Sequence, residues 1–431
     1  MKEVIVIGAG LAGCECALQL ASHGVKVLLY EQKPKKFSPA HTNKNFCELV
    51  CSNTLKSNSL DYATGLLKAE LKELNSPVLE CAYKCRVPAG DALAVDINQF
   101  AEMVTNLIRT NENITVIEEE VKTIPLDKPV VVASGPLTSD ELAEDIKKLT
   151  GDGFYFYDAL APIVELDSID LSKTFTADRW NDEDGSHINC VMNKEEYTTF
   201  WQALTTAERV PLKNFETEKV FEGCLPVEVM AKRDFDALRF GPMKGKGFKL
   251  NDGTTPYAVL QLRQESVNGN LYNLVGCQTN LTYPEQRRVF SLIPALKNVQ
   301  FARYGAMHRN SYINAPKTLT SRFCLKNYKN VFFAGQISGV EGYLESIASG
   351  SLCAIYMWQY LNSGAEFALP ATTALGALGN YLVCASEINF QPMHITWGIL
   401  SPINASKDEK KKALVERALS DIKKIKEQIW K

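Results

Sequence analysis

The segment that most narrows the possible folds is residues 4–31. An apolar run, Val4-Ile5-Val6-Ile7, leads directly into Gly8-Ala9-Gly10-Leu11-Ala12-Gly13. A helical stretch to about Ser22 follows. A second apolar run, Val25 to Tyr30, then ends on Glu31, 18 residues after Gly13. The order is strand, glycine turn, helix, strand, acid. In such a unit Gly8 permits the tight turn, Gly10 lets the backbone approach a pyrophosphate, and Gly13 lets helix and strand pack closely. The N–H groups at the helix start, with their partial positive charge, face the phosphates. Glu31 is placed to accept ribose hydroxyls. Glycines alone would suit any tight turn, but the full context predicts dinucleotide binding through Gly8, Ala9, Gly10, Leu11, Ala12, Gly13 and Glu31.

The rest of the chain can support an enzyme around that unit. Its 431 residues suffice for a sizeable core and more than one domain. The net charge of −3 gives no bulk attraction to nucleic acid or to a membrane. The first apolar run is too short for a secretory signal, so a cytoplasmic location is expected. Residues 346–365 and 367–386 carry no charge. Their Ser, Gly, Asn and Pro content predicts buried helices, not membrane spans. Twelve cysteines without a signal segment are expected as thiols, not disulfides. Cys14, Cys16, Cys353 and Cys384 lie in apolar surroundings and read as small core residues. No pair of CxxC motifs points to a metal.

Periodicity predicts helices from Tyr62 to Leu74 and from Asn98 to Arg109, the latter with Phe100, Val104 and Leu107 on one face. Ile114 to Ile117 and Val130 to Ala133 read as strands, and Ser139 as the cap of the next helix. Residues 33–59 form a long irregular segment, and loops of that length in compact domains are usually functional. From about Ile188 to Arg303 the texture changes: helical repeats fade and β-rich runs appear, such as Tyr257 to Leu262 and Leu271 to Val275. This stretch holds 15 basic and 12 acidic residues, against 32 and 38 elsewhere. We read it as an inserted, mildly basic domain. The expected fold is α/β: a Rossmann-like FAD-binding domain from residues 1–187 and 304–431, with a smaller α+β domain inserted at 188–303. A charged amphipathic helix closes the chain, burying Leu414, Ala418, Ile422, Ile425 and Ile429.

A second turn explains the choice of FAD over NAD. Val331-Phe332-Phe333 leads into Gly335-Gln336-Ile337-Ser338-Gly339-Val340-Glu341-Gly342, and a helix begins near Leu344. Two strand–glycine–helix units far apart in sequence would grip both ends of a long dinucleotide. Gly335, Gln336, Gly339 and Gly342 are therefore further cofactor candidates. No second GxGxxG suggests a separate nicotinamide domain.

With these motifs in place, the chain resembles the folate- and FAD-dependent tRNA (uracil-5-)-methyltransferases, the TrmFO family, within the wider GidA-like flavoproteins. The resemblance rests on GAGLAG at 8–13, PAH at 39–41, ELVCSN at 48–53, VPAGDALAVD at 87–96, SGPLTS at 134–139, FEGCLPVE at 221–228, FGPMK at 240–244 and GQISGVEGYLESIASG at 335–350. Thr54 and Lys56 depart from the Ser and Arg more usual in the family, and residues 390–398 are a variant of a usual run. The resemblance implies 5,10-methylenetetrahydrofolate as carbon donor, NADH or NADPH as reductant of the flavin, and a T-loop uridine of tRNA as target, with a ribosomal-RNA uridine as the alternative.

Methylating uracil C5 this way calls for a thiol. C5 is a poor nucleophile until a thiolate adds to C6, and the resulting enolate attacks a one-carbon electrophile. Loss of the C5 proton then leaves an exocyclic methylene, which a hydride converts to methyl. Cys51 and Cys224 fall within the matching motifs. We assign Cys224 as the C6 nucleophile and Cys51 as acid/base, with the reverse open. His41 and His308 are candidates for assisting proton transfer, though a structural role suits each better. Phosphate contacts would come from basic groups such as Lys232, Arg233, Arg239, Lys244, Lys246, Lys249, Arg287 and Arg288. Two other classes share the fingerprint. A flavin-dependent disulfide reductase would need a redox CxxC, and none exists. A non-catalytic RNA-binding flavoprotein would not need both Cys51 and Cys224.

Overall fold

The structure, a computed structural model, describes the chain apart from residues 1, 39, 152–153, 160, 180–184, 211–224, 251, 266–268, 363–366, 389, 407–408 and 431, and apart from the side chains of 154–159 and 308–310. Its first layer is a five-stranded parallel sheet in the order Val331–Phe333, Val130–Val132, Glu3–Ile7, Lys26–Tyr30, Ile114–Ile117. Helices on the faces of a parallel sheet bury its strands on both sides, so the strands read as continuous apolar runs. Val4, Val6, Val130, Val131 and Val132 are all fully buried. Val331–Phe333 is equally buried although it ends the sheet, because residues 323–325 run alongside it. Leu325 N–H donates to Val331 O (2.9 Å) and Phe333 N–H to Phe323 O (2.9 Å).

Two helices dictate where ligands can approach. Leu11–Ser22 follows the first strand, and Tyr343–Leu361 follows the last. They pack against each other along their lengths, and the contact is backbone-close. A Cβ built on Gly350 would lie 2.4 Å from Ala12 O. Glu15, fully buried, ties the bundle together. Its carboxylate accepts from Ser351 Oγ (2.6 Å), Ser76 Oγ (2.8 Å) and Val78 N–H (3.1 Å). The charge-free stretches lie in Tyr343–Leu361 and Ala374–Cys384, and among the described residues no helix is long and apolar enough to cross a membrane.

The second layer is a six-stranded sheet in the order Thr174–Thr176, His187–Met192, Ala258–Gln264, Leu271–Leu274, Ile163–Glu165, Phe301–Arg303, antiparallel throughout. It has its own core, in which Cys190, Leu260, Leu262 and Leu274 meet Tyr197, Phe200 and Phe290 from covering helices. Two strands, Phe154–Ala159 and Met307–Tyr312, pair where the chain enters and leaves this layer.

Several expectations change. Two strands of the second sheet, at Ile163–Glu165 and Thr174–Thr176, precede Ile188, because strands of three residues carry too little periodicity to register. Helices do not fade in this stretch: Lys194–Thr206, Val227–Arg233 and Tyr283–Phe290 lie within it. The first carries a capping box, Asn193 with Glu196. On Ile97–Arg109 the core face is Phe100, Val104 and Ile108, while Leu107 is exposed. Ser139 precedes Asp140–Thr150 without a capping side-chain bond. Cys384 is exposed, whereas Cys14, Cys16 and Cys353 are buried as expected.

The close helix pair yields a stability prediction. Gly350→Ala should push the helix Tyr343–Leu361 off Ala12 and cost about 1–3 kcal/mol, the usual range for overpacking. Urea denaturation reads it directly. An unchanged midpoint would mean that the helices separate freely, contrary to the packing described.

Candidate functional site

Both glycine turns open on one cavity of about 350 Å³. Gly8, Ala9, Gly10, Leu11 and Ala12 line it from the first turn, Gly335, Gln336 and Gly342 from the second, and Glu31 from just after the strand Lys26–Tyr30. Neither helix that starts here has a side-chain cap. Their N-terminal N–H groups are the donors a phosphate or a ring carbonyl would use. The SGPLTS segment, Ser134 to Ser139, forms another wall.

The three glycines of the fingerprint do different work. Gly8 sits at φ +102°, and a Cβ there would fall 2.5 Å from Ala133 O. A Cβ on Gly13 would fall 1.9 Å from Gly8 O, so Gly13 sets how closely the helix meets the turn. Gly10 is the opposite case: a Cβ there meets nothing within 4 Å. The protein leaves this space open, as a pyrophosphate requires. Gly13 and Gly339 do not line the cavity; Gly339 is instead pressed against the Phe390 ring. Glu31 accepts from Ala9 N–H (2.9 Å) on one oxygen and from Lys33 N–H (3.0 Å) on the other. It steadies the turn, and each oxygen keeps a lone pair for a ligand hydroxyl.

The irregular segment wraps this cradle. Cys47 N–H donates to Ala9 O (3.0 Å), anchoring the loop on the first glycine turn. Cys47 and Lys56 both adopt positive φ, 51° and 66°. Such backbone strain in side-chain-bearing residues gathers at ligand sites. Lys56, one of the departures from the family pattern, pairs with the fully buried Glu345 at 2.9 Å.

Cys51 lies at the far end of the loop, on the cavity wall. Of the described cysteines, nine are buried, Cys47 among them although it too lines the cavity, and Cys384 is exposed outside the lining; Cys51 is half-buried and lines the cavity. Its backbone is gripped from two sides. The Tyr343 hydroxyl accepts from Cys51 N–H (2.6 Å) and Ser52 N–H (3.3 Å). Arg303, from the second layer, donates to Cys51 O (3.5 Å). Burial, with Cys51 nearby, pushes the Tyr343 phenol well above its ordinary range, so it stays neutral. Next in the chain, Asn53 joins the layers. It accepts from Arg263 Nε (2.9 Å) and donates to Gln264 O (2.9 Å). Beside Arg263 lies Glu265, whose carboxyl burial pushes up to about 7 against the pull of Arg263 and Arg303. Sequence reading missed Tyr343, Arg303 and Arg263. Only the position of Tyr343, directly after Gly342 at a helix start, was a usable signal.

Cys224 lies outside the described residues. The chain just after it is well anchored: Glu228 is buried and accepts from Thr279 Oγ (2.8 Å) and Asn280 N–H (2.9 Å). His41 lines the cavity and meets Ser38 Oγ through Nδ1 (2.5 Å), while the His308 side chain is not described. Arg233, Lys244, Lys246, Arg287 and Arg288 all belong to the second layer. Arg288 is held by Glu285 at 2.6 Å, and Arg239 by Asp236 at 2.5 Å.

The glycine geometry separates two substitutions. Gly10→Ala should fold normally, since its methyl enters open space, yet weaken FAD binding. Gly13→Ala should destabilise the fold itself. Thermal unfolding paired with FAD titration distinguishes them. Equal loss of stability in both would refute the separate roles.

Comparison with known proteins agrees with this architecture. The sequence profile of the family described as "Glucose inhibited division protein A" matches residues 3–364. A protein of Acetivibrio thermocellus named "Methylenetetrahydrofolate--tRNA-(uracil-5-)-methyltransferase TrmFO" is 51% identical over 428 residues, covering 99% of this chain and 98% of the relative. The protein of that name from Carboxydothermus hydrogenoformans is 52% identical over 429 residues, covering 98% and 99%. That from Listeria innocua is 48% identical over 433 residues, covering 99% and 100%. Among solved structures, Aquifex aeolicus GidA superposes with a TM-score of 0.73 at 14% identity, over 99% of this chain and 74% of that one, a likeness of fold. With half its residues shared along almost its whole length, this chain belongs to the TrmFO family, within the wider GidA-like flavoproteins.

Proposed function

We propose that this protein methylates C5 of a uridine in tRNA, with 5,10-methylenetetrahydrofolate as carbon donor and FAD as redox cofactor, reduced by NADH or NADPH. The observation that carries the reading is Cys51: a thiol-bearing loop seated on a two-turn dinucleotide cradle, in a chain about half identical to proteins named for this reaction. A cavity lined by both glycine turns and by Glu31 suits FAD, and the open space at Gly10 suits its pyrophosphate.

In this reading Cys224 attacks uracil C6 through its thiolate. The new C–S bond leaves an enolate, and C5 bonds to the one-carbon unit of the folate. Cys51 takes the proton from C5 as the bond from the new carbon to the folate nitrogen breaks, which releases tetrahydrofolate and leaves an exocyclic methylene with Cys224 still bonded to C6. Reduced FAD, when bound, would supply the hydride that turns this methylene into methyl, and the C6–S bond then breaks to expel the Cys224 thiolate. Tyr343 and Arg303 grip the Cys51 backbone on both sides, which keeps its thiol at one point of the cavity wall. Preorganisation of that kind is what a positioned acid/base group needs. Basic residues of the second layer, Arg233, Lys244, Lys246, Arg287 and Arg288, supply phosphate contacts.

The reading is tested on a purified tRNA transcript. Ribothymidine should form with methylenetetrahydrofolate and NADPH, and S-adenosylmethionine should not replace the folate. Transfer of label from S-adenosylmethionine without folate would sink it. The cysteine roles are tested with 5-fluorouridine at the target, since fluorine cannot leave C5 and the adduct persists. Cys224→Ala should bind FAD yet trap nothing. Cys51→Ala should lose turnover to near background but still trap RNA. Trapping by Cys224→Ala but not by Cys51→Ala would reverse the two roles.

A further inference from the structure

An aromatic stack on the second layer is unused by the chemistry above. Tyr283 opens the helix Tyr283–Phe290 and is 55% exposed. Its ring stacks on Tyr304, with centroids 4.5 Å apart and planes 17° apart. Tyr304 stacks in turn on Phe301, at 4.9 Å and 17°. Phe301 packs against the core of this layer, whereas Tyr283 does not. The outermost ring therefore contributes nothing to that core and leaves more than half of its surface in water. Apolar ring surface held flat and open in this way fits a planar ligand.

The stack is rigid and cationic at its edge. The fully buried Gln286 clamps the turn after Tyr304: its Nε2 donates to Gly305 O (2.8 Å) and its Oε1 accepts from Gly305 N–H (2.8 Å). Arg287 donates through Nε to the Tyr304 hydroxyl, with its guanidinium carbon 5.4 Å from that ring centroid. Neighbouring Arg288 is engaged by Glu285, so the charge beside the stack comes chiefly from Arg287. The position is also telling. Tyr304 directly follows Arg303, whose guanidinium touches the Cys51 carbonyl. The aromatic stack and the reactive loop are thus joined through one peptide unit.

We infer that Tyr283 is a stacking platform for an unpaired nucleobase flanking the target uridine, with Arg287 beside it for the adjoining phosphate. This rests on the tRNA reading above and adds a substrate-positioning residue to it. An exposed ring accepts any base through its π-face, so the platform orients the strand without reading its sequence. A flanking base held on Tyr283 limits where the next nucleotide can go, and Arg303, next to Tyr304 in the chain, ties this stack to the Cys51 loop.

The test pairs protein and RNA changes on the full-length, FAD-loaded protein. Tyr283→Ala should weaken binding of a T-arm RNA on the order of 10-fold, the range of one base–aromatic stack, with FAD content unchanged. Tyr283→Phe and Tyr283→Trp, which keep a ring, should bind as the parent protein does. An abasic nucleotide placed 5′ or 3′ of the target uridine should, at one of the two positions, weaken the parent protein by a similar factor. At that position it should cost Tyr283→Ala almost nothing more. Parent-like RNA binding by Tyr283→Ala, or abasic losses that add in full to the loss from Tyr283→Ala at both positions, would overturn the inference. Failure of the parent protein to form ribothymidine would instead overturn the functional reading.

Discussion

Everything at the cofactor cradle depends on how closely one short helix is allowed to approach its surroundings. Leu11–Ser22 touches the first glycine turn through Gly13 and the helix Tyr343–Leu361 through Gly350, in both cases with no room for a methyl group. Those contacts bring two uncapped helix N-termini, more than 300 residues apart in sequence, to one cavity. Partial charges at helix starts act only over the first turn. A helix displaced by the width of a side chain would point its N–H groups elsewhere. The buried Glu15 carboxylate, shared among three helical segments, holds the same arrangement in place by hydrogen bonding.

A second constraint joins the two layers. The loop carrying Cys51 belongs to the first layer, but its grip comes from both. Tyr343 holds its amides, Arg303 its carbonyl, and Asn53 reaches Arg263 and Gln264. Arg263 and Asn53 are both buried, and a buried polar pair is worth keeping only when each partner is satisfied. The seam therefore behaves as a unit. Disturbing Arg263 would leave Asn53 short of a partner and loosen the wall that carries the thiol.

The parts of the fold that were legible in the sequence share one property: their signal is local. The apolar runs at Val4 to Ile7 and Val130 to Val132, the amphipathic faces of Ala63–Glu73 and Lys410–Lys426, and both glycine turns are each specified within a single element. The misread parts were short or relational. Strands of three residues at Ile163–Glu165 and Thr174–Thr176 have no periodicity of their own and become strands by pairing. Leu107 and Ile108 are equally apolar neighbours, and only packing settles which one faces inward. Cys384 lies in an apolar stretch, but in the last turn of a helix that is buried all round from Ala374 to Gly379 and emerges into solvent after that.

The same division applies to the site. Gly8, Gly10, Gly13 and Glu31 could be read from the chain because a tight turn and its acid are built within one βαβ unit, where spacing alone imposes the geometry. Open space at Gly10 and close packing at Gly13 were legible too; that Gly13 meets the Gly8 carbonyl and Ala133 was not, since it depends on where those residues lie in three dimensions. Nor were the partners of Cys51. Tyr343 and Arg303 lie 292 and 252 residues away, and no local pattern links a hydroxyl or a guanidinium to a distant peptide group. Residue types and spacing specify what each element can do. Which elements share a wall is settled by packing, because a hydrogen bond forms only between groups that the folded chain has already brought within about 3 Å.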